Sequence, residues 1–335
     1  MKKTLALALA LTMALSCAAC GSGSSSGSSP SGSASQSGGS TAPKTLSIGT
    51  ASLGGNFFTM GAAMASVMMD ETGITVTAQA TGGSAYNVTA VSEGEVNLGM
   101  AQASTIASGV AGIDQFEGAA TTNICTLFNY NATPNHILVN KSLKITDITG
   151  LKGAKIECIA PGDGVETATK KMLPVLGISL DDVTLEYSGN RVQAASRLKT
   201  GQVDAIVDAT GLGASWIADL YGTGDFVLLS LTDEQISAVC DAFEEMSEMV
   251  IPANTYDGQT EDVVTVGNWT TVFCRDDLDE DTAYALCKAV FENKEELVKA
   301  HSFFGDLAPE NIVDSCIAPL HPGAEKYYKE VGVLA

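Results

Sequence analysis

The sequence predicts an α/β protein built as two doubly wound lobes with a ligand cleft between them. Three observations predict it. Alternating strand and helix periods occur in two successive blocks, and glycine-rich turns recur where strands pass into helices. The folded part, about 290 residues, is long for one hydrophobic core and comfortable for two. Each block reads β-α-β-α-β, the order that produces a parallel sheet covered by helices.

The chain opens on two lysines, an apolar run and then small residues. Residues 1–19 therefore read as a signal peptide, too short to span a bilayer. The end of that stretch, C-A-A-C-G-S, sets Cys20 after two alanines, so cleavage and lipidation at Cys20 are expected; Cys17 stands where bacterial lipoproteins usually carry leucine. Between residues 21 and 40, 17 of 20 residues are Gly or Ser. Such a composition cannot bury a core, so residues 20–44 are expected to be a flexible tether with a reach of about 25 Å.

Residues 46–50 alternate as a strand, and 57–69 follow as a helix with Phe57, Met60, Met64 and Met68 on one face. Residues 74–79 read as a strand, 85–93 as a helix and 96–101 as a strand. The pattern restarts after Pro134: strands at 137–139 and 155–159, a helix at 164–176, a strand at 183–187, a helix at 191–200 and a strand at 205–208. Residues 281–301 and 325–330 read as helical. Lobe 1 is accordingly expected from residues 45–133 and 268–335, and lobe 2 from 134–267.

Charge narrows the partners. The formal net charge is -21, which argues against nucleic acid or an anionic membrane surface, since both require clustered Lys and Arg. No other apolar run approaches membrane-spanning length, so contact with a membrane is expected only through the lipid. Six cysteines fall in the folded part (Cys125, Cys158, Cys240, Cys274, Cys287, Cys316), none at C-x-x-C spacing, and the histidines His136, His301 and His321 are scattered. No metal site is expected, and the cysteines are read as free thiols acting as small hydrophobes. No cofactor is expected either. G-T-A-S-L-G-G lacks the dinucleotide spacing, and no G-K-[ST] occurs.

Four strand-to-helix turns are rich in glycine and small polar residues: 50–56, 81–84 (T-G-G-S), 161–164 (P-G-D-G) and 209–215. Ligands in such sheets bind beyond the carboxyl ends of the strands, where helix N-termini offer unpaired N–H groups. The candidate ligand-binding residues are Thr50, Ser52, Gly54, Gly55, Asn56, Thr81, Gly82, Gly83, Ser84, Gly162, Asp163, Gly164, Val165 and Thr210. Donor-rich turns favour a small anionic or zwitterionic molecule. Catalysis has little support: there is no G-x-S-x-G elbow, and no histidine pairs with a Ser or Cys.

A set of segments carries a resemblance across residues 46–331: I-G-T-A-S-L-G-G-N-F-F-T-M-G, T-A-Q-A-T-G-G-S-A-Y-N-V, V-N-L-G-M-A-Q-A-S, D-I-T-G-L-K-G-A-K-I, A-P-G-D-G-V-E-T, I-P-A-N-T-Y-D-G-Q, A-V-F-E-N-K-E-E-L and P-L-H-P-G-A-E-K-Y-Y-K-E. The chain resembles TAXI-family solute receptors, the extracytoplasmic binding components of TRAP transporters. The resemblance implies a type II periplasmic-binding-protein fold, a monomeric non-enzyme receptor, and membrane subunits powered by an ion gradient. It also implies a small carboxylate or amino acid as ligand, glutamate-like by preference. A ligand-binding sensory or adhesive surface lipoprotein is the alternative.

Individual residues carry two readings each. Asn56 and Ser84 are expected to cap their helices and can also contact ligand. Asp163, followed by Glu166, resembles a capping box. Of Phe57 and Phe58, one should pack in the core and the other cover the ligand. Gln102, just past a strand, matches a polar position of the family and is expected to face the cleft. Arg191 reads either as a solvated first-turn side chain or as a bidentate clamp on a ligand carboxylate. Trp216 is expected to pack within a lobe.

Overall fold

The computed structural model describes residues 45–313 and 315–335. The signal-peptide, Cys20 and tether expectations lie outside the described residues. The chain begins with β1 (Thr45–Gly49), α1 (Asn56–Thr72), β2 (Thr75–Gln79), α2 (Ser84–Glu93), β3 (Leu98–Gln102) and α3 (Ala103–Ala111). A long strand, β4 (Ile124–Asn140), leads into β5 (Lys155–Glu157), α4 (Gly164–Val175), β6 (Thr184–Glu186), α5 (Arg191–Lys199), β7 (Ala205–Ala209) and α6 (Ser215–Tyr221). Then follow β8 (Phe226–Leu228), α7 (Asp233–Ala242), β9 (Ser247–Ile251), β10 (Val263–Arg275), α8 (Glu280–Glu292), α9 (Lys294–Ala300) and α10 (Pro322–Glu330).

Strand order is β2-β1-β3-β10-β4-β7-β5-β6, with β8 beside β4 and β9 beside β10. The pairs β1–β2, β1–β3, β5–β6 and β5–β7 are parallel, as βαβ units require. Two antiparallel strands join the halves. β10 pairs with β3 through residues 270–274, with β4 through 267–275 and with β9 through 263–267. β4 pairs with β10 as far as Pro134 and with β7 from Asn135 onward. The crossing is therefore made inside continuous strands, at residues 133–135 and 266–268.

The first βα unit shows why the sequence folds this way. Met60, Met64 and Met68 form the buried stripe of α1 and pack against Leu46 and Ile48 of β1. Gly73 ends the helix in the left-handed conformation, its N–H donating to Met69 O, a cap geometry that glycine adopts without a Cβ penalty. The 281–301 helix is broken into α8 and α9 at Asn293, whose side-chain Nδ2 turns back to Ala289 O. All six described cysteines are free. Burial pushes the Cys158 thiol up to about 12, and Cys274 and Cys287 are raised by the same cause.

Candidate ligand site

One side chain ties the end of β1 to β3 and to the turn that follows β2. Asn87, fully buried on α2, donates from Nδ2 to Gly49 O (3.1 Å), Thr50 O (2.7 Å) and Met100 O (2.7 Å). Its Oδ1 accepts from Thr81 Oγ1 at 2.7 Å, and Thr81 Oγ1 lies 2.9 Å from Thr50 O. Thr50 Oγ1 in turn donates to Gln79 O at 2.6 Å. The hydroxyls of Thr50 and Thr81 are thus committed to holding the turns in place. Asn87 was not among the sequence candidates; its signal was an asparagine beside Val88 and Val91 on the buried face of an amphipathic helix.

Two capping expectations need correction. Asn56 is the first residue of α1 and Gly55 is its N-cap, with no side-chain cap bond. Ser84 likewise opens α2 behind Gly83, whose φ of 96° and ψ of -158° suit only glycine. Ser84 Oγ accepts instead from the backbone N–H of Gln102 at 3.3 Å, linking the α2 start to the end of β3. Asp163 does cap α4, through Val165 N at 3.0 Å, but the capping box is not formed: Glu166 Oε2 accepts from Gly162 N at 2.6 Å rather than from Asp163 N. Burial pushes Glu166 up, yet Lys170, Tyr187 and the Gly162 N–H together hold its pKa below the ordinary value. Burial raises Asp163, against the pull of Arg191.

Arg191 is paired within the protein. Its Nε and Nη2 grip Asp208 at 2.7 and 2.8 Å, so the carboxylate it clamps belongs to the protein. The Asp208 side chain has no exposed surface, whereas that of Arg191 is 31% exposed. Desolvation works against the guanidinium charge, but Asp208 overrides it and raises the pKa. Asp208 precedes Thr210 by two residues, and Thr210 N donates to Pro134 O at 3.4 Å. The turn after β7 is therefore anchored to the crossing point of β4.

In the first turn of α1, Phe57 and Phe58 are both half-buried, and Phe57 packs against the core cluster. Ser52 and Gly54 lie on an exposed turn whose tip, Leu53, is 74% exposed. Gln102 brings the two halves together: Nε2 donates to Ala209 O at 3.1 Å, and its side chain lies against Gly164. Trp216 is half-buried against the core, as expected.

On one face of the crossing strands lies a row of buried amides. Register places Gln102 opposite Thr270, Thr270 opposite Asn131, and Asn268 opposite Thr133. The hydroxyls of Thr133, Thr265 and Thr270 donate to Asn268 O, Asn135 O and Asn131 O. The amides are not so fully satisfied. Gln102 Oε1, Asn131 Oδ1, Asn135 Oδ1 and both ends of Asn268 are buried without a hydrogen-bond partner, where native interiors leave few such groups. A groove of about 490 Å³ between the end of α1 and α8, lined by Glu71, Tyr284, Lys288 and Glu292 among others, has none of these unpartnered atoms. The seam is the stronger site. Among the described residues, no group of three or more His, Cys, Asp or Glu side chains is placed to hold a metal ion, and no helix is long and apolar enough to cross a membrane.

A model of the NMT1-like family matches residues 48–332. The chain belongs to the NMT1-like family. The matched range takes in all four turns, both crossing strands and α10. Solved structures share the fold of this NMT1-like chain at low identity. MatC from Rhodopseudomonas palustris, with bound malate, is 15% identical, covers 86% of this chain and 96% of its own, and has a TM-score of 0.56. A protein from Bordetella bronchiseptica RB50 is 18% identical over 87% of this chain and 90% of its own, with a TM-score of 0.51. A periplasmic transporter protein is 14% identical over 86% and 92%, with a TM-score of 0.50. The NMT1-like chain has the type II periplasmic-binding-protein fold, two doubly wound α/β lobes with a cleft between them.

Proposed function

We propose that this NMT1-like protein is an extracytoplasmic solute receptor of the TAXI type. It binds a small carboxylate or amino acid, glutamate-like by preference, and delivers it to the membrane subunits of an ion-gradient-driven TRAP transporter. The observation that carries this reading is the convergence, at one seam between two half-sheets, of strand ends, the first turns of α2, α3 and α4, and buried amides without partners. Helix N-termini supply donors for a carboxylate, and Arg191, held by Asp208 through Nε and Nη2, retains Nη1 for the same purpose. MatC, with the same fold, was solved with malate bound.

The contact set proposed is that of the four turns together with Phe57, Phe58, Gln102 and Arg191. Lobe 1 comprises residues 45–133 and 268–335 and lobe 2 residues 134–267, with lipid attachment at Cys20 and a monomeric receptor. No chemistry is assigned. The buried His136 has both ring nitrogens engaged, by Pro134 O and Tyr256 Oη, and the thiols with resolved shifts are all raised, which suppresses nucleophilic thiolate.

A thermal-shift screen of chain refolded to strip carried-over ligand tests the reading, with amino acids, dicarboxylates, oxoacids, sugars and phosphates as the panel. Ligand at about one hundred times its dissociation constant adds roughly 2.7 kcal/mol, so one responding carboxylate class is expected. Arg191→Lys should weaken that response by about tenfold, because the planar fork is lost. Recovery of a converted product, or a response confined to sugars or phosphates, would sink the proposal.

A further inference from the structure

Gln102 closes β3 and reaches across the seam. Its Nε2 donates to Ala209 O, 107 residues away in the chain, and its backbone N–H donates to Ser84 Oγ. The amide must face this way, since a carbonyl turned toward Ala209 O would oppose two acceptors. Oε1 is left buried and unpartnered on a residue only 3% exposed. Opposite it stands Gly164, the first residue of α4. A Cβ there would lie 2.8 Å from Cγ, Cδ and Oε1 of Gln102. Gly164 is not among the positive-φ residues, so the backbone does not require glycine here. Space for Gln102 does.

We infer that Gln102 and Gly164 form a clasp between the lobes that couples closure to the ligand. The donor end of the amide holds Ala209, and the acceptor end is completed by an N–H or O–H of the ligand. The inference rests on the receptor reading and narrows it to carboxylates that also carry an ammonium, amide or hydroxyl donor. Asn135, oriented by its Nδ2 bond to Val266 O, adds an acceptor of the same kind on the same face. Gln102 acts as a positioning residue for closure and as a specificity-determining contact.

Two variants on opposite sides of the seam test this. Gly164→Ala displaces the Gln102 side chain without altering its chemistry, and alanine in the first helical turn favours folding. Gln102→Leu removes both ends of the amide. Hydrogen-exchange mass spectrometry of the unliganded full chain reads the clasp directly. Both variants should exchange about tenfold faster in peptides covering residues 102–106 and 209–213, with residues 155–157 unchanged as an internal check on folding. Unaltered exchange at the seam in Gly164→Ala overturns the clasp.

The ligand half is read separately, by the thermal shift of wild-type chain in millimolar L-glutamate or glutarate. A shift with L-glutamate that exceeds the shift with glutarate, and that needs about tenfold more ligand in Gln102→Leu, supports the donor contact. An equal or larger shift with glutarate overturns it. If neither probe shifts the wild type, the glutamate-like receptor reading falls and the donor contact with it, while the exchange comparison still decides the clasp.

Discussion

His136 lies in β4 opposite Asp208 of β7 with no exposed surface. Burial lowers its pKa to about 4, outweighing the nearby Asp208 carboxylate and the backbone bonds that favour the proton. The unfolded chain, near 6.5, binds the proton more readily than the folded one. Its contribution to stability is therefore complete above pH 6.5 and is lost as the pH falls toward 4, a difference of about 3 kcal/mol. His301 and His321 are lowered by burial too and add slopes of the same sign. Urea unfolding measured from pH 7 to pH 4 should show the wild-type midpoint falling, with much of that slope removed in His136→Gln; an unchanged slope would refute the assignment. At this scale the sequence was partly legible. Gln102 read as a polar residue just past a strand and is instead the last residue of β3. Arg191 read either as a solvated side chain or as a clamp on ligand, and its grip on Asp208 was not legible, because Asp208 comes to it only through the packing of α5 on β7. Asn56 and Ser84 fell one residue inside their helices because the glycines before them supply the N-cap conformation.

Helix α10 meets α8 backbone to backbone. A Cβ on Gly323 would sit 2.1 Å from Glu280 O and 2.8 Å from Tyr284 N, neither of which can swing away as a side-chain tip can. The close approach seats Tyr327 flat on Phe291, with centroids 5.5 Å apart at 4°, and carries Tyr328 Oη to Leu127 O at 3.0 Å. Gly323→Ala should cost about 1–3 kcal/mol, as overpacking does. Gly305→Ala, with nothing within 4 Å of its Cβ, should be close to neutral; equal urea midpoints for the two variants would contradict the contact. Long amphipathic elements such as α1 and α8 were readable from their periodicity. β4 was readable only at residues 137–139. Its Asn-Tyr-Asn-Ala-Thr-Pro-Asn stretch has no apolar alternation, and it stays extended because β10 and then β7 pair with it. Helix α3, built largely of Ala, Ser, Thr and Gly, also lacks a strong apolar stripe.

Across the whole molecule, β4 and β10 belong to both halves, so neither half has a complete sheet when the other is lost. A cooperative transition follows. The two tryptophans report different places: Trp216 lies in α6 and Trp269 in β10. Urea midpoints from Trp216→Phe and Trp269→Phe, each corrected for its own effect on stability by circular dichroism, should agree with the backbone signal; two separated transitions would show that the halves unfold independently.

The sequence by itself determined the two β-α-β-α-β blocks, the glycine turns at their strand ends and the acidic balance. Each of these is local, written in periods of two and 3.6 residues or in composition. Only the tertiary structure decided where the chain crosses between halves, that Asn87 ties β1 to β3, that Arg191 meets Asp208, and that Gln102 reaches Ala209. Those contacts join residues from 13 to 107 positions apart. Their partners come together only when parallel strands are ordered by crossovers, and no local pattern records which side chain will then stand opposite which.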